Sequence, residues 1–158
     1  MIRRLPARPA RRDERGSIAP AVPIIAFMLL LLAGLGIDGS RQLNARGEAT
    51  AYAEEAARAG AQGVDISADE LRLDPNLVAQ RVRQFCARVK EEQPGLVTSC
   101  YLIGIEPVSD TDPRPLVVHT EVTMQTNTTL LGLIGRRVLD AAADAKARPY
   151  EGIDSATD

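Results

Sequence analysis

An uncharged apolar run near the start of the chain constrains the fold more than any other feature. No charged side chain occurs from Ser17 to Ile37, and the stretch IIAFMLLLLAGLGI supplies most of the apolar residues. As a helix the run would extend about 31 Å, enough for a hydrocarbon core of about 30 Å. A run that is apolar on every side does not suit a surface helix. We therefore predict a transmembrane helix over residues 17–37, with Pro20 and Pro23 tolerated in its first turns.

The charges around this run predict its orientation. Residues 1–16 hold six arginines against Asp13 and Glu14, which is a net charge of +4 in a chain whose net charge is −2. Positively charged flanks stay on the cytoplasmic side. We therefore predict a basic cytoplasmic tail over residues 1–16 and an extracytoplasmic location for residues 39–158. Basic charge in a tail beside an apolar run indicates a lipid bilayer as partner and argues against nucleic acid.

A cleaved secretory signal is the alternative interpretation of the same segment. Such signals also join a basic start to an apolar stretch, but that stretch is usually about 7–15 residues long. The run in this chain is longer, although small residues between Ala33 and Gly39 offer a cleavage site. We favour a retained, single-pass anchor in the cell membrane. The mass of the mature chain separates the two interpretations.

Residues 38–63 continue the helix with an alanine-rich composition. Small residues recur there at spacings of three and four, which predicts a stripe along one side of a helix. This small-residue seam consists of Ala45, Ala49, Tyr52, Ala53, Ala56 and Gly60. Small side chains let another backbone approach closely, and Gly60 and Gly63 are typical of a helix end. Two interpretations stay open: the seam covers the chain's own sheet, or it docks on a partner or a neighbouring copy.

The segment from Arg11 to Gln62 resembles the TadE/TadG-like proteins of bacterial tight-adherence (Flp-type) pilus systems. The resemblance is carried by Arg15-Gly16 before the apolar run, by the exit of the run at GIDGSR, and by the alanine-rich continuation ending in ARAGAQ. It implies a bitopic protein with a structural role in assembly or anchoring of such a pilus or its secretion apparatus. The implied partners are other pilus or secretion-apparatus proteins, with copies of the chain itself among them.

The same resemblance bears on processing of the N-terminus. TadE-like members are similar to prepilins, in which a peptidase cuts after a Gly and a Glu stands at the fifth mature position. The corresponding bond in this chain is Gly16-Ser17, but Ala21 occupies the fifth position, and no acidic residue occurs from Ser17 to Ile37. The chain is therefore closer to the TadG-like pattern, which implies an uncleaved anchor.

A small extracytoplasmic domain is predicted over residues 75–150, after a linker over residues 64–74. Asp74-Pro75 is a favourable helix start, because Asp caps a helix and Pro suits its first position. Apolar residues then recur at helical spacing until Pro94-Gly95, which ends the helix. The polar tail over residues 151–158 is expected to be disordered.

Three strands are predicted to complete this domain. Residues 96–108 are rich in β-branched and aromatic side chains, and residues 116–128 alternate between apolar and polar positions. Residues 138–148 are ambiguous, since alanine favours a helix whereas their strict alternation favours a strand. We favour the strand. The predicted fold class is α+β: a long membrane helix with an alanine-rich extension, then one helix and a three-stranded antiparallel sheet.

The two cysteines of the chain fall on neighbouring predicted elements. Cys86 lies on the helix and Cys100 on the first strand. Outside the cytoplasm such a pair is expected to oxidise, which would close a loop of about 15 residues and contribute about 3 kcal/mol of stability. The alternative is two buried free thiols. Neither a CxxC motif nor a cluster of Cys and His occurs, so no metal site is predicted.

The sequence offers no catalytic constellation. The single histidine, His119, lies mid-strand, where a solvated histidine is the common case, and Glu106, Asp110 and Asp112 are typical of a solvated acidic loop. HExxH, GxSxG, GxGxxG and Walker-type motifs do not occur. We predict a protein that is not an enzyme and has no cofactor and no small-molecule substrate. The alternative function is an extracytoplasmic binding module, secreted or membrane-tethered, whose N-terminal signal is cleaved.

Overall fold

Two helices and a three-stranded sheet form the described part of the chain. The computed structural model describes residues 20–67 and 70–149, so the predictions for the basic tail, for Gly16-Ser17 and for the C-terminal tail lie outside the described residues. The elements in chain order are α1 (Ala21–Ala61), α2 (Pro75–Glu92), β1 (Val97–Pro107), β2 (Pro115–Asn127), a short 3-10 helix (Leu131–Ile134) and β3 (Val138–Ala147). The predicted α+β class is confirmed.

The first helix, α1, runs unbroken through the apolar run and the alanine-rich extension. It has 41 residues, which corresponds to about 60 Å at 1.5 Å per residue. Pro20 immediately precedes it and Pro23 lies in its first turn, where backbone N–H groups have no helical partner to lose. Both prolines therefore mark the start of the helix and leave the rest of it uninterrupted.

The first half of α1 has the length and composition needed to cross a membrane. Its large apolar side chains are exposed, with Leu30 at 69% and Leu32 at 66%. Only 6% of the residues in its most apolar stretch are buried, whereas a core helix of a soluble protein would be mostly buried. A membrane span and a signal sequence are the interpretations that remain.

The second helix, α2, begins and ends where its sequence indicates. The Asp74 side chain accepts a hydrogen bond from the Asn76 backbone N–H at 2.8 Å, and Pro75 occupies the first helical position, as expected for an N-terminal cap. Beyond the last turn Gly95 adopts a positive φ of 78°, which other residues avoid. The buried face of α2 consists of Val78, Val82, Phe85, Cys86 and Val89.

The two ends of the segment between the helices pack against the rest of the domain. Val64 and Leu73 form an isolated antiparallel bridge, and Leu73 is buried. A Cβ at Gly63 would lie 2.7 Å from the backbone nitrogen of Val78, so only glycine permits this approach of the two helices. The predicted linker therefore holds α2 beside the end of α1.

The sheet has the strand order β1-β2-β3, and both neighbouring pairs are antiparallel. Residues 138–147 form the third strand, as their alternation predicted. The pairing of β2 with β3 continues without interruption from Val118 opposite Ala147 to Asn127 opposite Val138. A period of two places the small side chains of Ala141, Ala143 and Ala145 on one face, which packs on the core.

The core lies between α1, α2 and one face of the sheet. Its centre on β2 consists of Val118, Thr120, Val122 and Met124, each at most 2% exposed. Small residues from α1 and β3 and valines from α2 surround it. Because these side chains are small, the helix and the sheet must approach each other closely to leave no cavity.

Candidate functional site

The small-residue seam of α1 packs against the chain's own domain. Ala49, Ala53 and Ala56 are fully buried, and the Thr120 hydroxyl on β2 donates a hydrogen bond to the Ala53 carbonyl at 2.8 Å. Tyr52 packs against the same core and is half-buried. The structure thus shows the first of the two interpretations of the seam. In the described residues, these side chains are covered by the chain's own sheet and α2.

Glycine at position 60 permits a close approach of α1 to its neighbours. A Cβ there would lie 2.8 Å from Val118 Cγ1 and 2.9 Å from Val82 Cγ2, closer than carbon atoms pack. Gly47, on the exposed side of the same helix, has nothing within 4 Å of such a Cβ. The position of α1 on the domain therefore depends on the absence of a side chain at Gly60.

A second contact between α1 and the domain lies where the apolar run ends. Asp38 is the first charged residue after the run and is 1% exposed. Its carboxylate accepts backbone hydrogen bonds from Thr129 at 2.6 Å, Leu130 at 2.9 Å and Leu131 at 2.8 Å. These N–H groups lie at the start of the 3-10 helix and have no partner within it, as at any helix start. Asp38 thus caps the loop between β2 and β3.

These hydrogen bonds also keep the carboxylate charged. The backbone N–H groups of Leu131 and then Thr129 lower the pKa of Asp38 below its usual value, although burial acts in the opposite direction. A carboxylate that accepts several backbone hydrogen bonds is stabilised in its ionised form. At neutral pH this buried negative charge is therefore satisfied by the loop, and the loop is bound to α1 by charge-assisted hydrogen bonds.

The next turn of α1 adds two polar contacts to the same region. Arg41 Nη1 donates to the Thr129 hydroxyl at 2.7 Å and to the Asn127 carbonyl at 3.4 Å. Gln42 Nε2 donates to the Asp140 carbonyl on β3 at 2.8 Å. Both strand ends that flank the loop are therefore held by α1. We call the group formed by Asp38, Arg41 and Gln42 the polar clamp.

One turn before the polar clamp in α1, the loop between β2 and β3 packs on the apolar run itself. A Cβ at Gly34 would lie 2.8 Å from the Leu130 Cβ and 3.0 Å from both of its Cδ atoms. Leu130 thus occupies the space that a side chain at position 34 would fill. Gly36, two residues later, has nothing within 4 Å. The domain is consequently in contact with a residue of the predicted membrane span.

A disulfide joins Cys86 on α2 to Cys100 on β1, with their Cα atoms 5.5 Å apart. Both cysteines are buried, at 5% and 9% exposure. The bond attaches α2 to β1, one of the two edge strands of the sheet, and it belongs to the structural framework of the domain.

The histidine lies in a polar cluster on the sheet face opposite the core. His119 Nδ1 is 2.8 Å from Glu106 Oε1, and Nε2 is 3.0 Å from Asp144 Oδ2. Lys146 donates to the other oxygen of Glu106, and the hydrogen bonds from Lys146 and then His119 lower the pKa of Glu106. We expected a solvated histidine, but its side chain is 15% exposed. With both ring nitrogens engaged, the imidazole links the three strands.

The predicted site residues therefore fall into separate structural roles and do not converge. The seam and the cysteine pair belong to the packing of the domain. Within residues 20–67 and 70–149, no group of three His, Cys, Asp or Glu side chains could hold a metal ion. The sequence analysis missed the role of Asp38, although an acid that directly follows 21 uncharged residues was a visible signal. Its partners lie about 90 positions away.

Comparison with known proteins finds a similarity in the region that contains α1. Residues 16–63, which are 48 of the 158 residues, match the model of a family described as Flp pilus-assembly TadE/G-like. No curated protein and no solved structure matches the chain. The matched range includes all of α1, with the seam and the polar clamp, and it ends before α2 and the sheet.

Proposed function

We propose that this chain, which matches the TadE/G-like pilus-assembly family over residues 16–63, is a single-pass membrane protein with a structural role in pilus assembly. The role is the assembly or anchoring of a Flp-type pilus or its secretion apparatus. The N-terminus lies in the cytoplasm and the sheet domain lies outside. The partners are the lipid bilayer and other proteins of the pilus or secretion apparatus, with further copies of the chain among them.

One observation carries the proposal: α1 is at once the apolar segment and a core element of the sheet domain. Gly34 and Asp38 on the apolar side contact the loop at Leu130, and Ala53 lies in the domain core. No flexible joint separates the two halves of this 41-residue helix. The domain is therefore held at a fixed height and rotation relative to the membrane, which suits a structural subunit.

The same contacts favour an anchor over a cleaved signal. Removal of the chain up to about residue 40 would take away Asp38 and leave the N–H groups of Thr129, Leu130 and Leu131 without their acceptor. Unpaired backbone groups that lose their partner cost stability. A secreted module would have no use for contacts between its signal and its folded domain. This supports retention of the apolar run.

The orientation rests on two independent features. The basic residues precede the run, and positively charged flanks remain in the cytoplasm. The bond between Cys86 and Cys100 belongs to a chemistry that persists in oxidising compartments. Both features support an extracytoplasmic sheet domain.

The surfaces available to protein partners follow from what the domain covers. Since the seam is buried, the surfaces that we propose for protein partners are the exposed apolar half of α1 within the membrane and the outer face of the sheet. The outer face carries the polar cluster around His119. Contacts through the membrane half would be between helices, where van der Waals packing is the main attraction.

The mass of the natural protein, purified from both the membrane and the soluble fraction, tests the anchor. The proposal expects a chain close to the full 17.0 kDa in the membrane fraction. A mature start at Ser17 would indicate pilin-like processing of a subunit that still spans the membrane. A start near residue 40, with the protein in the soluble fraction, would refute the anchor and support the secreted module. The host's own pilin in the same membranes serves as the control for peptidase activity.

Deletion and complementation test the role in pili. We expect the deletion strain to lose pili and adhesion, and wild-type protein to restore them. The variant Asp38→Asn weakens the polar clamp and should complement poorly, whereas Glu48→Gln, on the exposed side of the same helix, should complement fully. Normal pili and adhesion in the deletion strain would refute the proposed function.

A further inference from the structure

We infer that the loop between β2 and β3, residues 128–137, inserts its apolar tip into the outer leaflet of the bilayer as a second membrane contact. This inference rests on the proposed function in one respect, because it takes the first half of α1 to be a membrane span. The loop has the sequence TTLLGLIGRR. Its partner is a lipid surface, recognised by apolar side chains at the tip and by positive charge beside them.

The contact at Gly34 places the loop at the level of the bilayer. Gly34 lies three residues inside Ile37, the last residue of the uncharged run, which is about 4.5 Å along a helix. Leu130 packs directly on Gly34, at the distances given above. If the run spans the membrane, Leu130 lies beside it just inside the outer boundary of the hydrocarbon core.

The polar clamp prevents the loop from moving away from this level. Asp38 accepts the N–H groups of three successive residues of the loop, from Thr129 to Leu131. Arg41 holds the Thr129 hydroxyl from the turn above. The height of the loop is therefore set by α1, with no contribution from the lipid.

The tip of the loop is apolar and has no partner within the described residues. Leu133 is 82% exposed and Ile134 is 76% exposed, and none of the four residues of the 3-10 helix is buried. Arg136 and Arg137 follow after Gly135 and are exposed. Apolar side chains flanked by cations are typical of segments that lie at a membrane interface, with arginines at the level of the phosphates.

Lipid is favoured over a protein as occupant of the tip because the apolar surface is continuous. The exposed side chains of the first half of α1, such as Leu30 and Leu35, belong to the surface that the bilayer covers. Leu130 extends that surface sideways onto the loop, and the exposed Leu133 and Ile134 follow it in the same loop. A bilayer that covers α1 up to Ile37 therefore reaches the loop as well.

Tryptophan fluorescence in the full-length protein provides the test, because the chain contains no tryptophan. Three single-tryptophan variants, Leu133→Trp, Leu30→Trp and Ile66→Trp, are reconstituted as one copy per lipid nanodisc. The lipids carry bromine either high in the acyl chains or near the chain ends. Bromine quenches tryptophan fluorescence on contact. Leu30→Trp reports the membrane interior. Ile66→Trp is the matched control, since Ile66 is 97% exposed and follows the distal end of α1.

The inference expects a loss of fluorescence for Leu133→Trp that is larger with bromine high in the chains than near their ends. Leu30→Trp should be quenched by the deep bromines, and Ile66→Trp by neither. If Leu30→Trp is quenched and Leu133→Trp is not, the loop does not enter lipid, the inference is refuted, and the anchor stands. In that case a protein partner would be the remaining occupant of the tip. If Leu30→Trp is also unquenched, the anchor itself is refuted, and the proposed function with it.

A pair of glycine variants tests whether the contact at Gly34 sets the depth. Introduced into the Leu133→Trp protein, Gly34→Val should displace Leu130 and reduce the quenching by the high bromines. Gly36→Val, which meets no atom within 4 Å, should leave the quenching unchanged. Equal quenching in both variants would refute the part of the inference that assigns the depth of the loop to α1.

Discussion

Substitution of alanine for Gly60 tests how α1 packs on the sheet domain, and Gly47 on the same helix provides the matched control. Gly47 lies in the interior of α1, and Gly60 lies in its last turn. In a helix, alanine is favoured over glycine by about 0.5–1 kcal/mol. Gly60, in the last turn, shares at most this gain, so a larger difference between the two substitutions reports what surrounds each new methyl group.

At position 60 the new methyl group meets stiff side chains. It would lie 2.8 Å from Val118 Cγ1 and 2.9 Å from Val82 Cγ2, whereas the methyl group at Gly47 would meet nothing within 4 Å. Forcing an extra carbon into a well-packed core costs about 1–3 kcal/mol. We expect Gly47→Ala to raise the free energy of unfolding slightly, and Gly60→Ala to lie about 1–3 kcal/mol below Gly47→Ala.

The assay is urea unfolding of the full-length protein in nanodiscs, followed by brief proteolysis that digests only unfolded domains. With a slope of about 2 kcal/mol per molar urea, the expected difference corresponds to about 0.5–1.5 M between the two midpoints. A double-mutant cycle adds specificity: Val118→Ala removes the nearest contact, so it should relieve part of the cost of Gly60→Ala.

Two results would refute this reasoning. Equal midpoints for Gly60→Ala and Gly47→Ala would mean that the seam is not packed against the sheet. Strict additivity of Gly60→Ala with Val118→Ala would mean that the cost does not arise from that contact.

Three further predictions concern the domain and use the same unfolding assay. Reduction of the bond between Cys86 and Cys100 should lower stability by about 3 kcal/mol on the chain-entropy model, whereas a variant with both cysteines replaced by alanine should be insensitive to reductant. Hydrogen bonds from Lys146 and the neighbouring imidazole lower the pKa of Glu106, so between its usual and its lowered pKa the unfolded state binds more protons. The stabilisation from Glu106 is therefore complete above its usual pKa and is lost as the pH falls through the lowered value; Glu106→Gln should flatten this acid-side loss, and unchanged pH profiles would contradict the cluster. Thr120→Val should cost about 0.5–1.5 kcal/mol, because it removes a buried hydrogen bond to α1, and an unchanged midpoint would speak against that bond.

Local patterns were sufficient for most of the secondary structure. The run from Ser17 to Ile37, the cap at Asp74 and the alternation over residues 138–148 each act through neighbouring residues, so each could be read along the chain. The resemblance to TadE/TadG-like proteins likewise rests on the continuous segment that the family model matches. The cysteine pair could be proposed from the predicted elements because the two elements follow each other directly.

The contacts between those elements were decided only by the tertiary structure. The sequence predicts a seam of small residues but not which surface covers it, because a stripe of alanine suits a sheet and a partner helix equally. Asp38 is visible as the first acid after the apolar run. Its partners from Thr129 onward, however, depend on where the end of β2 lies along α1. The same holds for His119, whose ring is flanked by carboxylates from two other strands. Such contacts join residues far apart in the chain, and only the packed arrangement of helix and sheet determines them.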